Sequence, residues 1–353
     1  MSHPAEKGTS SDASPPTDLP PVEPPTAGFI LQLFVLPAVV VVVVIAVWLL
    51  FGKLAGGERD PIDYVRAIQS SNANQRYRAA FELASLIHND RRLAEDRLLL
   101  GELTVVLGRE LDRAEAAADR LRSPDVQSDQ ADHEDPLPQY LALALGAFRT
   151  LEAKTEAGRP ADPIATLARA LGPRQPPPVR LAAAESLARQ AARLEDGLKA
   201  PEAVRALAAA ADGDAPSALR ERAVYALGFF GGEEAATALR LNLGPDQEDR
   251  SVRYNAAAAL ARRGDPAALA VVREMLTTRD LEEVASPAVA REAPNRIEVI
   301  ELEALRALQH AARAGHPDLA RQLLPEATAL TRSGLVSVRT EAAALVQLLQ
   351  AAP

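Results

Sequence analysis

The chain has 353 residues, a net charge of −9 and no cysteine. Without cysteine there are no disulfides, no thiolate metal sites and no cysteine nucleophile, and the acidity argues against broad nucleic-acid binding. Aromatic residues make up only 4 % while alanine fills the helical runs, so each helix contact buries little area and stability must build up over many contacts.

Residues 1–28 are rich in Pro, Ser, Thr and acidic side chains and hold almost nothing apolar. Such a composition predicts a disordered tail. It carries −3 of the net charge (Lys7 against Glu6, Asp12, Asp18 and Glu23), leaving −6 for the rest.

Residues 29–51, FILQLFVLPAVVVVVVIAVWLLF, form a 23-residue stretch without a charge. As a helix it would be about 34 Å long, enough to cross a hydrocarbon core of about 30 Å. The expectation is one transmembrane helix, with Gln32 and Pro37 in its first half and Trp48 near its far end. The competing reading is a cleaved signal peptide, with Ala38–Phe51 as its apolar core and small residues at Leu54-Ala55-Gly56. That reading would make the chain an exported soluble binding protein. The long, acidic, Pro-rich tail argues against it. Lys53, Arg59 and Arg66 follow the span and no Lys or Arg lies in the twenty residues before it, so the charge rule puts the remainder of the chain on the cytoplasmic side.

After a linker at 52–60, helical periodicity begins at Pro61, with Asp60 as cap and a second helix through Tyr77, Phe81 and Leu86. Arg91–Leu121 reads as one long helix. An acidic insertion at 123–136 comes next. Gly172–Pro178 reads as a stiff turn, Thr277–Arg296 as a charged connection, and Ser337 to about Gln350 as a closing helix apolar through Val338, Leu345 and Leu348.

The sharpest stretch is Asp249–Leu276, DRSVRYNAAAALARRGDPAALAVVREML. Val252, Ala256, Ala257, Leu260 and Ala261 share one helical face, and Ala267, Leu269, Val272 and Leu276 share another. Gly264 stops the first helix, Asp265 caps the second and Pro266 fits its first turn. A hairpin this small cannot bury its own apolar stripe. The chain supplies neighbours, because the pattern recurs as QRYRAAFELA from Gln75, VRLAAAESLA from Val179, LRERAVYALG from Leu219 and VRTEAAALVQ from Val338. Weaker copies start at Gln139 and Ile300. The residues in the Arg slot are Arg76, Gln139, Arg180, Arg220, Arg253, Glu301 and Arg339, at spacings of 63, 41, 40, 33, 48 and 38. All but the first lie near the period of two-helix solenoid repeats.

The Val-Arg pair, the Ala-Ala after it, the Leu-Ala or Leu-Gly and the Gly-Asp-Pro turn resemble the HEAT repeat family, in particular phycobilisome-lyase-type HEAT-like repeats. The resemblance implies an all-α fold, an α-solenoid of HEAT-like helical hairpins over 61–353, preceded here by the one transmembrane helix. It also implies that Arg76, Arg180, Arg220, Arg253 and Arg339 form a ladder with turn residues of neighbouring repeats, or face a partner along the inner curve. Asp249 before Arg253, Asp214 before Arg220 and Asn74 before Arg76 are the turn residues in question. An Arg-lined anion groove is the alternative use of the same slots.

Chemistry is sparse. The histidines His3, His88, His133, His310 and His316 show no metal-ligand spacing, and there is no phosphate loop, nucleophile elbow or triad. HEAT-like deoxyhypusine hydroxylases carry several His-Glu pairs that bind a di-iron centre; this chain has only His133-Glu134. Bilin lyases lend this repeat type its name, which leaves a lyase-type enzyme subunit as a further alternative. The expectation is a membrane-anchored interaction scaffold for another protein, not an enzyme, without cofactor, metal or nucleic acid.

Overall fold

The computed structural model describes residues 28, 35, 38–48, 61–121, 135–194, 198–244, 247, 249–277 and 293–351. The chain divides into two compact units, Met1–Glu58 and Arg59–Pro353.

In the first unit, residues 38–48 form helix α1. Its valines are exposed, Val42 to 64 %, and so is Trp48, to 72 %. Among the described residues no helix is long and apolar enough to cross a membrane. Most of the remaining part of 29–51, the tail before Gly28, the linker at 52–60 and most of the acidic insertion lie outside the described residues.

The second unit is a stack of helical hairpins. The first helices are α2 (Pro61–Ile68), α5 (Arg97–Leu121), α7 (Pro163–Ala170), α9 (Pro201–Ala210), α11 (Glu233–Leu241), α13 (Leu269–Leu276) and α16 (Leu324–Leu330). The second helices are α3 (Ala73–Asn89), α6 (Leu137–Ala147), α8 (Pro177–Ala191), α10 (Ser217–Leu227), α12 (Arg250–Arg262), α14 (Ala293–Arg313) and α17 (Val336–Ala351). Short helices α4 (Arg91–Ala94) and α15 (Asp318–Gln322) join hairpins. Each second helix packs on the next, α3 on α6, then α8, α10, α12, α14 and α17. Each also packs on the first helix of its own hairpin. The seven slot residues fall one on each second helix.

Small residues make this stacking close. On α12 the run Ala256–Ala261 is buried throughout, because α10 and α14 flank it and α11 and α13 back it. A Cβ on Gly146 of α6 would lie 2.5 Å from Ser186 Oγ and 2.8 Å from its Cα on α8. Ser186 Oγ then donates to Ala142 O at 2.8 Å, so even the polar atom at this contact is satisfied across the layer.

The Gly264 turn forms as its residues dictate. Gly264 has φ 70°, Asp265 N donates to Leu260 O at 3.0 Å, and the Asp265 carboxylate accepts from Ala267 N at 3.0 Å. The first turn after Pro266 is a 3₁₀ turn, Pro266–Ala268, and it buries Ala268 in place of Ala267 while Val272 and Leu276 stay buried as read. Ala268, Val271, Val272, Met275 and Leu276 are therefore the buried set, while Ala267 is exposed and Leu269 half-buried.

Four other details differ from the sequence reading, within an all-α architecture. Arg91–Leu121 is two helices, because Asp96 Oδ1 accepts from Leu98 N at 2.8 Å and Leu99 N at 3.0 Å and so starts α5 afresh. A small antiparallel ladder, β1 (Ala153–Lys154) with β2 (Pro160–Ala161), interrupts the all-α pattern and packs on α5. On α17 the residue buried beyond Leu345 is Leu349, four places on, while Leu348 is half-buried. The connection after Thr277 ends earlier than read, since α14 starts at Ala293.

Candidate binding surfaces

Six of the seven slot residues sit in the first turn of their second helix, while Glu301 lies further along α14. Arg76 Nε donates to Ile68 O at 3.2 Å, Arg180 Nε to Leu171 O at 3.1 Å and Arg339 Nη1 to Ser333 O at 2.6 Å. Arg76 and Arg180 meet carbonyls at the end of their own hairpin's first helix, where the helix dipole favours a cation, and Arg339 meets one in the turn after α16. Burial holds Arg180 below the usual arginine range. Arg76 also pairs with Glu110 at 2.9 Å and lies 3.6 Å from Asp135, which precedes the next second helix.

Of the turn residues read in the sequence, Asp249 reaches the Arg of a neighbouring repeat, while Asp214 and Asn74 do not serve as read. Asp249 faces Arg220 of the preceding hairpin at 3.7 Å and caps its own helix by accepting from Ser251 N at 3.1 Å. Arg253 pairs with Glu274 of α13 at 2.7 Å, and Tyr254 donates to the same carboxylate at 2.8 Å. Asp214 is exposed, and α3 is capped by Asn72 rather than Asn74. Glu301, in the degenerate slot of α14, is fully buried.

A second set of polar links at the opposite ends of the second helices carried no signal in the repeat pattern. Arg193, just past α8, donates to Phe148 O and, at 3.2 Å, to Gly146 O, at the end of α6. Gln190 donates to Leu145 O at 2.7 Å and Phe148 O at 3.1 Å. Arg263 repeats the arrangement one hairpin pair later, donating to Phe230 O and, at 3.4 Å, to Leu227 O at the end of α10. Burial pulls both guanidiniums below the usual range. The available clue was an arginine in or just beyond the last helical turn, which also reads as an ordinary dipole partner.

Positions one, five and nine after the slot form a strip on the second helices, since residues four apart share a helix face. Tyr77 and Phe81 on α3, Tyr140 on α6, Tyr225 on α10 with Phe229 just past its end, and Arg262 on α12 occupy it. Tyr140 meets Tyr77 edge-on at 5.1 Å and Phe81 at 6.1 Å. Phe81 is 55 % exposed. Tyr225 meets Phe229 at 5.0 Å, with Arg222 over Tyr225 and Arg262 over Phe229, each at 5.7 Å. Most of the seven Phe and five Tyr in the sequence could have been buried core, yet these five gather on one strip.

Two shallow grooves lie at the edges. One, about 450 Å³, is lined by Ser217, Arg220, Asp249, Arg250, Ser251 and Arg296. The other, about 520 Å³, includes Glu233, Arg240, Arg263 and Asp265. In the second groove Arg240 bridges Glu233 and Asp265, so its charges are compensated internally. Among the described residues no group of three or more metal-ligating side chains converges. His310 is exposed, its Nδ1 lying 3.3 Å from Arg262 O, and His316 is exposed. His133 lies outside the described residues.

Residues 219–244 and 252–278 match the family of PBS lyase HEAT-like repeats. These two stretches are HEAT-like repeats. Each takes in a second helix and the first helix after it, α10 with α11 and α12 with α13. No curated protein matches the chain. Of solved structures, an engineered protein is similar at 16 % identity over 83 % of this chain and 97 % of its own, with a TM-score of 0.34. Human deoxyhypusine hydroxylase, in complex with glycerol, is similar at 18 % identity over 82 % and 96 %, with a TM-score of 0.29. At those TM-scores neither likeness bears on what this chain does.

Proposed function

We propose that the chain is a membrane-anchored scaffold whose repeats dock another protein on the exposed strip of the second helices. The observation that carries the reading is the gathering of Tyr77, Phe81, Tyr140, Tyr225 and Phe229, with Arg222 and Arg262, on that strip. Tyr and Arg are the residues most often found at the energetic centres of protein interfaces, where they bury large area at small entropic cost. Anchoring rests on the apolar run at 29–51 and on the exposed valines of α1.

A photo-crosslinking amino acid at Phe81 or Tyr225 in the full chain, in native membranes, tests it. The expected result is one discrete adduct from both positions, lost when Tyr77 and Phe229 are replaced by alanine. No adduct from either position, or one indifferent to those replacements, contradicts the reading.

A further inference from the structure

We infer that the groove between the starts of α10, α12 and α14 binds a phosphomonoester dianion carried on a protein partner. Its lining brings three guanidiniums, Arg220, Arg250 and Arg296, to one cavity of about 450 Å³ against a single carboxylate, Asp249. That carboxylate is already engaged. It accepts from Ser217 Oγ and from Ser251 N, and it faces Arg220.

The arginines are left with donors to spare. Arg220 faces Asp249 at 3.7 Å, so the spare charge of the groove is that of Arg250 and Arg296. Arg250 and Arg296 are exposed, and among the described residues no carboxylate pairs with either. The groove containing Arg240 is the internal control, because there each carboxylate answers an arginine and little charge is left over.

Guanidinium forks match oxyanions, and three forks call for more oxygens than a carboxylate has. A phosphomonoester supplies three terminal oxygens and a charge near −2. The starts of α10 and α12, with their dipoles directed at the groove, add to the field. The groove is open, without walls to enclose a small molecule, which suits a phosphate displayed on a chain. In taking that chain to be a protein, the inference rests on the scaffold reading.

Calorimetry on the full chain tests it, with inorganic phosphate, a short Gly-Ser-Gly peptide bearing one phosphoserine, and the same peptide unphosphorylated. Phosphate and phosphopeptide are expected to bind saturably and compete, while the plain peptide gives no heat. The double variant Arg250→Ala/Arg296→Ala, at two exposed positions, is expected to bind at least about tenfold more weakly with an unchanged thermal melt. Restoring Lys at both positions is expected to recover part of the affinity. Absence of saturation, or a double variant that binds like the parent, overturns the site. Binding to phosphatidic acid vesicles without binding to the phosphopeptide overturns the protein-borne source. Absence of phosphate binding by the parent chain, with the crosslink at Phe81 present, rejects the groove and leaves the docking strip standing; phosphate binding without the crosslink rejects the strip and leaves the groove.

Discussion

The hairpins from α9 to α13 and the segment from α4 to β2 are held by different kinds of contact. In the first, packing is anonymous. Ala256 to Ala261 are buried in a row, and a Cβ on Gly228 would meet Ala259 Cβ at 3.0 Å. In the second, particular atoms do the holding. Arg149 N donates to Ala94 O at 2.6 Å, Glu156 N to Glu102 at 2.8 Å, and Arg97 pairs with Glu152 at 2.7 Å. A Cβ on Gly101 would stand 2.1 Å from Lys154 O, so the strand lies directly on the helix backbone. The difference teaches that a repeat advertises itself through interchangeable small residues, whereas an inserted element depends on single contacts that leave no periodic trace.

The comparison is broken most severely in its regular half. Leu260, fully buried at the middle of α12, is expected to cost about 3–5 kcal/mol when replaced by alanine, read by chemical denaturation of the whole second unit. Two glycine replacements sharpen it. Gly146→Ala forces α6 from α8 at Ser186 and is expected to lower the main transition by about 1–3 kcal/mol. Gly101→Ala meets backbone only at Lys154, so it should free the β ladder to rapid amide exchange while moving the main transition less.

Smaller effects test the polar links. Arg263→Ala leaves the carbonyls at the end of α10 without their donor, an expected loss of about 1–2 kcal/mol by denaturant titration. Glu341 gives a pH signature. The Gln309 amide, 2.9 Å away, and then Arg306 hold its carboxyl below the usual range against a partial opposing effect of burial. A depressed folded value means its stabilisation is present above the unfolded carboxylate range and is lost as pH falls through the folded value. Glu341→Gln should therefore flatten the acid limb of stability against pH. Smallest is Tyr140, whose hydrogen bond with Tyr77 and partial burial hold the phenol above its ordinary value. Tyr77→Phe should bring its ultraviolet titration back toward that value.

The regular half was legible because its chemistry is local. The Val252–Ala261 face and the Gly264-Asp265-Pro266 turn follow from helix period and capping alone, and both are seen. After Pro266, Val272 and Leu276 are buried as read, but the 3₁₀ turn puts Ala268 in the core in place of Ala267. Asp96 reads equally well as a helix residue or a cap, so the break before α5 stayed hidden. The ladder reading has a turn residue meet the Arg of a neighbouring repeat, and Asp249, next to Arg253 in sequence, faces Arg220 in space. Adjacency along the chain says little about which neighbour a turn carboxylate meets. The aromatic strip was visible only once the slots were aligned in three dimensions, since Tyr77 and Tyr140 are 63 residues apart.

Amide hydrogen exchange along the full chain tests the stacking most directly, because a fold made only of nearest-neighbour contacts is least stable at its ends. Protection is expected to peak in α8, α10 and α12 and to decline toward α2 and α3 on one side and α16 and α17 on the other. Equal protection in all the second helices, or a maximum at either end, would contradict the account.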